Sequence, residues 1–441
     1  MMRHLFTVLV VSCFLSANAQ QKIDAASIQD KMQWFADAKL GIFIHWGMYS
    51  VKGVDDSWTF FSRKMSYSDY MAQMKGFTAS RWDPEQWADL IKGSGARYAV
   101  LTTKHHEGVA LWGTKLKHLN TVDNTPAKKD LVSPFFSALR KRGVKAGAYF
   151  SMIDWSHPDY PVCLNDSIRY KVADDPARWE KFRRFYQGQI GELSTLVNPD
   201  LWWFDGDWEH SEEEWEARKV RTQILAVNPQ AIINGRLMGY GDYDTPEQNF
   251  PVTRPSFRWW ELCMTMNNSW GYHPIDTLDK TPLEVITIFS DVVGNGGNLL
   301  LDIGPRGDGT IPEKQVTVLK ELGGWNKRNG EAVFGTLGGL PQGHFFGPTT
   351  LSKDSSTLYL FCQGNPGTVT IKGLVNKITD ITVLGTNTKT TAKIVGKISW
   401  SPVPGLLFIN IPAQARDKYL TVLKVKLDGP VRLYRGKGGL S

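Results

Sequence analysis

Residues 97–112 read "RYAVLTTKHHEGVALW". An apolar run gives way, at its end, to two histidines and a glutamate. A run of this length, rich in β-branched and aromatic residues, predicts a buried strand. His105 and His106 therefore sit at a strand end. Successive strand side chains alternate between faces, so both rings point the same way only where the backbone starts to turn.

Six further runs have the same shape: "LGIFIHW" (40–46), "VKAGAYFSMIDW" (144–155), "DLWWFDG" (200–206), "AIINGR" (231–236), "RWWELCMTM" (258–266) and "GNLLLDIGP" (297–305). Amphipathic stretches lie between them. "DPEQWADLIKGSG" (83–95) spaces Trp87, Leu90 and Ile91 at helical intervals, and residues 175–197 do the same with Trp179, Phe182, Phe185, Tyr186 and Ile190. Strand–helix alternation predicts a parallel sheet. Several runs end in polar side chains: His45, His105, His106, Asp154, Asp205, Arg236 and Glu261. Seven separate runs ending in polar or aromatic groups fit a (β/α)8-like (TIM-type) barrel, whose site forms at the C-terminal ends of its strands, better than an open sheet with one crevice.

After about residue 340 the pattern changes to short alternating strands separated by Gly, Asn, Asp and Pro, which predicts an antiparallel β-sandwich. The N-terminus, "MMRHLFTVLVVSCFLSANAQQ", has a basic start, an apolar stretch and Ala17-Asn18-Ala19. This is a secretory leader with cleavage before Gln20. The expected organisation is a leader over 1–19, a catalytic barrel over 20–337 and a β-sandwich over 338–441, in a protein exported to a periplasm or the extracellular space. The apolar run continues past Cys13, which argues against a lipoprotein site there. No second long apolar run follows, so no membrane insertion is expected.

The composition, 42% hydrophobic and 22% charged, suits a folded chain with a large core. The net charge of +7 is spread out, and the one compact basic stretch is the C-terminal "RLYRGKGGLS". There is no helix-turn-helix or zinc-finger pattern, so nucleic acid is not an expected partner. Without the leader three cysteines remain, Cys163, Cys263 and Cys362, far apart and odd in number. That predicts neither a disulfide framework nor a zinc site.

For His105 and His106 the metal reading lacks the three or four spaced ligands it requires. Neutral hydrogen bonding to hydroxyls, or a satisfied strand end, remains. Asp205 follows four large apolar residues and precedes Gly206. A carboxylate there is costly to bury. It either faces a cleft, where it can act as a nucleophile at an anomeric carbon, or starts a turn. Asp207 and Glu209 lie just beyond the strand. Acid/base chemistry needs a second carboxyl group. Glu247, in the loop "GYGDYDTPEQNFP", and Glu261, wedged beside Trp259 and Trp260, both qualify.

Six ordered segments, "WFADAKLGIFIHWGMYSV" (34–51), "YAVLTTKHHEGVALW" (98–112), "YFSMIDW" (149–155), "WWFDGDW" (202–208), "WWELCMTMNNSWGY" (259–272) and "GNGGNLLLDIGPRGDGTIP" (294–312), resemble the α-L-fucosidases of glycoside hydrolase family 29. The resemblance implies a retaining exo-fucosidase acting by double displacement on fucosylated glycans, with no metal or cofactor. On matching positions it implies a fucose pocket lined by His45, His105, His106, Tyr149 and Trp203, with Trp46 or Trp203 near the sugar methyl group. It also implies Arg236 on the nucleophile side, Asp205 as nucleophile and Glu247 as acid/base, with Glu261 the second candidate. The chain departs from the family at "DSWTF", where Ser57 precedes Trp58 in place of a glutamate. Trp58 is expected to contact substrate, and Asp55 or Asp56 to stand in for the missing carboxylate. Two other readings fit the same residues: a fucose-binding protein without turnover, and a glycosidase for a sugar stereochemically related to L-fucose.

Overall fold

A computed structural model describes residues 30–164, 167–252 and 254–436. The leader expected over 1–19, with Cys13 and the expected cleavage site, lies outside the described residues.

Seven parallel strands form one curled sheet: β1 (Leu40–Ile44), β2 (Tyr98–Lys104), β3 (Lys145–Ser151), β4 (Leu201–Asp205), β5 (Ile232–Ile233), β6 (Glu261–Thr265) and β7 (Asn298–Ile303). Their order is β5-β4-β3-β2-β1-β7-β6. Each falls inside a run read from the sequence. The eighth position is filled by residues 243–247 rather than by a regular strand. Single parallel bridges join this segment to its neighbours on both sides, Asn234 to Tyr243, Asp244 to Trp260 and Glu247 to Cys263. Pro246 has no N–H to give a ladder, which accounts for isolated bridges here. The barrel is thus closed by the segment that carries Glu247.

The helices outside the barrel begin where local chemistry dictates. The Asp83 side chain accepts from the N–H groups of Glu85 and Gln86, and Pro84 opens α1 (Pro84–Gly93). Asp175 and Pro176 do the same for α2 (Pro176–Leu196). Capping side chains and a first-turn proline both satisfy the free N–H groups of a helix start. Trp87 and Ile91 of α1, and Trp179, Phe182 and Ile190 of α2, are buried against the barrel.

Beyond α3 (Glu313–Asn329), the chain builds a six-stranded and a three-stranded antiparallel sheet, with their own apolar core. Strands over 357–362, 368–372, 378–383, 392–395, 406–410 and 421–427 lie in the region where the sequence predicts short alternating strands. Trp325 of α3 donates to the Leu420 carbonyl at 2.9 Å, which seats these sheets on the barrel. Cys263 and Cys362 are buried free thiols. Among the described residues no helix is long and apolar enough to cross a membrane.

Candidate active site

Asp205 is the last residue of β4 and lies beside Ser151, the last of β3. Its carboxylate is held on both sides. Tyr149 donates its hydroxyl to Oδ2 at 3.0 Å, and Arg236 donates Nη1 to Oδ1 at 2.9 Å. The other end of the same guanidinium donates Nη2 to Glu247 Oε2 at 2.5 Å. Arg236 is itself oriented by Thr245, which accepts from Nε at 3.2 Å, and by the face of Trp203, 4.6 Å below its Cζ. The Asp205 side chain is 12% exposed and that of Glu247 39%. One carboxylate is therefore set into the barrel mouth and the other stands at its rim.

The three histidines gather around this pair. The turn 105–108 closes with the Gly108 N–H donating to the His105 carbonyl. The strand alternation ends there, and both rings face the mouth, their centroids 4.4 Å apart. Glycine suits position 108 twice over: its φ is +88°, and a Cβ there would meet Asp154 Oδ1 at 2.0 Å. His105 lies parallel to the Tyr149 ring and 5.7 Å from His45. Each Nδ1 has a partner: Asp302 for His45 at 2.7 Å, Ser57 for His105 at 2.5 Å and Ser151 for His106 at 2.6 Å. Ser151 gives its one hydroxyl proton to the Ile153 carbonyl, so it accepts from His106 Nδ1–H. His106 Nε2 is then a bare acceptor, buried, 3.6 Å from Asp205 Oδ2 and without a hydrogen-bond partner. Burial pushes the His106 pKa down to about 3, helped by His45, Lys104 and Arg236. Burial likewise holds His45 and His105 well below the ordinary histidine range. Burial thus keeps all three rings neutral at ordinary pH.

Glu261 stands elsewhere. It is the first residue of β6, at the end of the barrel opposite the strands' C-termini. Tyr98 donates to its Oε2 at 2.5 Å and Trp203 Nε1 to its Oε1 at 3.0 Å, and it is fully buried. Burial raises its pKa to about 7, opposed by those two donors and by Arg236. Its visible work is to orient Trp203 from beneath. Trp203 in turn runs near-parallel to Tyr149, 5.7 Å away, and carries Arg236 on its face.

Trp46 does not share the mouth with His45. It packs among Phe77, Trp82 and Trp87 and donates Nε1 to the Arg306 carbonyl at 2.8 Å. Asp154 also turns away, toward Lys104, His118 and Ser156. At the departure near Trp58, Ser57 has become the partner of His105. Asp55 accepts from the Gly271 N–H at 3.1 Å. Asp56 is buried, accepts from the Trp58 N–H at 2.8 Å, and is pushed up to about 8 by burial and by Asp55. Trp58 is 36% exposed, with its ring edge-on to His106.

Sequence reasoning missed four participants. Asp302 sits in "NLLLDI" as Asp205 sits in "LWWFD", and a lone carboxylate near the end of an apolar strand was its signal. Ser151, Thr245 and Trp270, whose ring lies 4.9 Å from His45, have no signal in sequence, since their contacts span separate elements.

The arrangement is a barrel-mouth pocket with two carboxylates on one arginine and a wall of neutral hydrogen-bonding histidines. A family profile described as Alpha-L-fucosidase matches residues 8–331. Human tissue alpha-L-fucosidase is 32% identical over 419 residues, covering 86% of this chain and 84% of that protein. Among solved structures, alpha-L-fucosidase isoenzyme 1 from Paenibacillus thiaminolyticus superposes with a TM-score of 0.81 at 30% identity, covering 91% of this chain and all of the other. The GH29 alpha-L-fucosidase from Bacteroides thetaiotaomicron gives 0.79 at 26% identity over 91% of this chain and 96% of its own, in a structure holding a covalent intermediate trapped with 2-fluoro-fucosyl fluoride in a Glu-to-Gln mutant. With the fold and most of the chain in agreement, this protein belongs to the alpha-L-fucosidases of glycoside hydrolase family 29.

Proposed function

We propose that this chain is a retaining exo-α-L-fucosidase that removes terminal α-L-fucose from glycans, with Asp205 as nucleophile and Glu247 as acid/base. The observation that carries the assignment is Arg236, which hydrogen-bonds both carboxylates through its two terminal nitrogens. A guanidinium is small, so the two carboxylates it bridges are close neighbours, as the two carboxyl groups of a retaining pair must be. The covalent intermediate in the Bacteroides relative supports the same course.

In the first step an Asp205 oxygen forms a bond to the anomeric carbon while the bond to the leaving oxygen breaks. Protonated Glu247 gives its proton to that oxygen. In the second step water attacks the same carbon, Glu247 takes the water proton, and the bond to Asp205 breaks. Two inversions leave the α-anomer. Tyr149 and Arg236 hold the Asp205 oxygens at a fixed angle, and His106 Nε2 accepts from a sugar hydroxyl. Glu261 serves as a positioning residue under Trp203, since both of its oxygens are occupied. The leader over 1–19 supports export, and a mature N-terminus at Gln20 in protein recovered outside the cytoplasm tests it.

The decisive experiment is hydrolysis of an aryl α-L-fucoside by the wild type and by Asp205→Ala with added azide. The reading expects wild-type turnover, a loss of about 10³-fold or more in the variant, and rescue by azide to the β-fucosyl azide. Wild-type binding of fucose without turnover of any fucoside would instead identify a binding protein. Faster turnover of a related sugar would move the substrate.

A further inference from the structure

Trp208 is the largest side chain at the barrel mouth with no part in the site as described. It is 52% exposed, unusual for an indole beside a catalytic pocket. Its exposure is imposed by the residues on either side. Gly206 turns the chain with φ 87°, where a Cβ would meet Ile153 at 2.6 Å. Asp207 Oδ2 accepts from the Met238 N–H at 2.9 Å, and the Asp207 carbonyl from Trp215 Nε1 at 2.9 Å. Glu209 accepts from the Tyr160 hydroxyl and from Trp155 Nε1. The short turn is thus pinned before and after Trp208, and the indole stands out between the anchors. It lies near-parallel to Trp58, 20° between planes and 6.4 Å between centroids, and edge-on to His106 at 6.1 Å.

We propose that Trp208, flanking Trp58, is a platform for the aglycone: the flat apolar face of the sugar ring or aryl group that leaves with the glycosidic oxygen. This rests on the fucosidase reading and adds a specificity-determining residue to it. Exposure runs from the buried histidines out to Trp58 and Trp208, so this pair stands at an open edge of the pocket. A group attached to the anomeric carbon of a sugar held among those histidines can lie across that edge, since Trp208 stands 6.1 Å from the His106 ring. The indole face there offers stacking, which does not depend on the orientation of one particular hydroxyl. It therefore favours a flat leaving group whatever its linkage.

The test compares kcat/KM on 4-nitrophenyl α-L-fucoside, a fucosyl disaccharide and α-L-fucosyl fluoride for wild type, Trp208→Ala and Trp208→Phe. Fluoride has no face to stack. For Trp208→Ala, kcat/KM on the aryl fucoside and the disaccharide, each relative to the fluoride, is expected to fall about tenfold. Trp208→Phe recovers most of that ratio, which a merely structural tryptophan would not do. Equal losses on all three substrates, or ratios that do not move, overturn the platform while leaving the fucosidase reading in place. A wild type inactive on the fluoride as well as on the fucosides overturns both.

Discussion

Asp205 and Glu247 are bound to opposite nitrogens of one guanidinium, at 2.9 and 2.5 Å from Arg236. The two carboxylates come from different staves of the barrel, one ending a regular strand and the other on the bridged segment that closes the ring. Arginine suits this position because its two terminal N–H groups diverge at a fixed angle. Lysine offers a single point charge. Arg236→Lys is expected to lower kcat/KM on an aryl fucoside by about 10²-fold, with less effect on melting temperature. An unchanged rate would show that the bridge does not organise the pair.

Glu247 and Glu261 separate by leaving group and by azide. Glu247→Ala is expected to lose about 10²–10⁴-fold on a poor leaving group and less on a good one. Azide should restore turnover and yield the α-fucosyl azide, the anomer opposite to that from Asp205→Ala. Glu261→Ala should show neither the leaving-group dependence nor the azide product. If azide rescues Glu261→Ala and not Glu247→Ala, the two assignments exchange.

Glu261 also makes a prediction about stability. Its folded pKa is raised from 4.5 to about 7, mainly by burial. The folded state then holds a proton that the unfolded state releases, so stability present below pH 4.5 is lost as the pH rises toward 7. Denaturant unfolding of wild type minus that of Glu261→Gln should show this decline. Glu261→Ala strands the Tyr98 hydroxyl and the Trp203 N–H, and is expected to cost about 2–5 kcal/mol. Glu261→Gln keeps a partner for each and costs less. A pH-independent difference would mean that Glu261 is already ionised in the fold.

His106 should stay neutral, with its proton on Nδ1, from pH 5 to 8, because its pKa is near 3 and Ser151 accepts from that nitrogen. Nitrogen chemical shifts of the imidazole are the direct readout. Ser151→Ala removes the acceptor that fixes the tautomer. It is expected to raise KM about tenfold through the lost hydrogen bond, with kcat falling less. A His106 titration within that pH range would contradict the neutral pocket.

Strand positions were legible in the sequence because each barrel strand is buried on both sides and reads as a continuous apolar run. All seven regular strands lie within such runs, and Asp205, His45, His105 and His106 fall at or just past their ends. The closing segment was read as a loop. Its partners are on two other staves, and Pro246 breaks the pattern that a strand would show.

Sequence alone determined the barrel, the sandwich behind it, and the chemical kinds at the mouth: carboxylates, histidines, tryptophans and one arginine. Periodicity and burial are local properties of the chain, and they survive without knowledge of what packs on what. Only the tertiary structure decided between residues of the same kind. It put Glu247 on Arg236 and Glu261 under Trp203; it left Trp203 at the pocket and took Trp46 into the outer core. Those choices rest on hydrogen bonds between residues 11 to 260 positions apart, whose geometry exists only once the ring has closed.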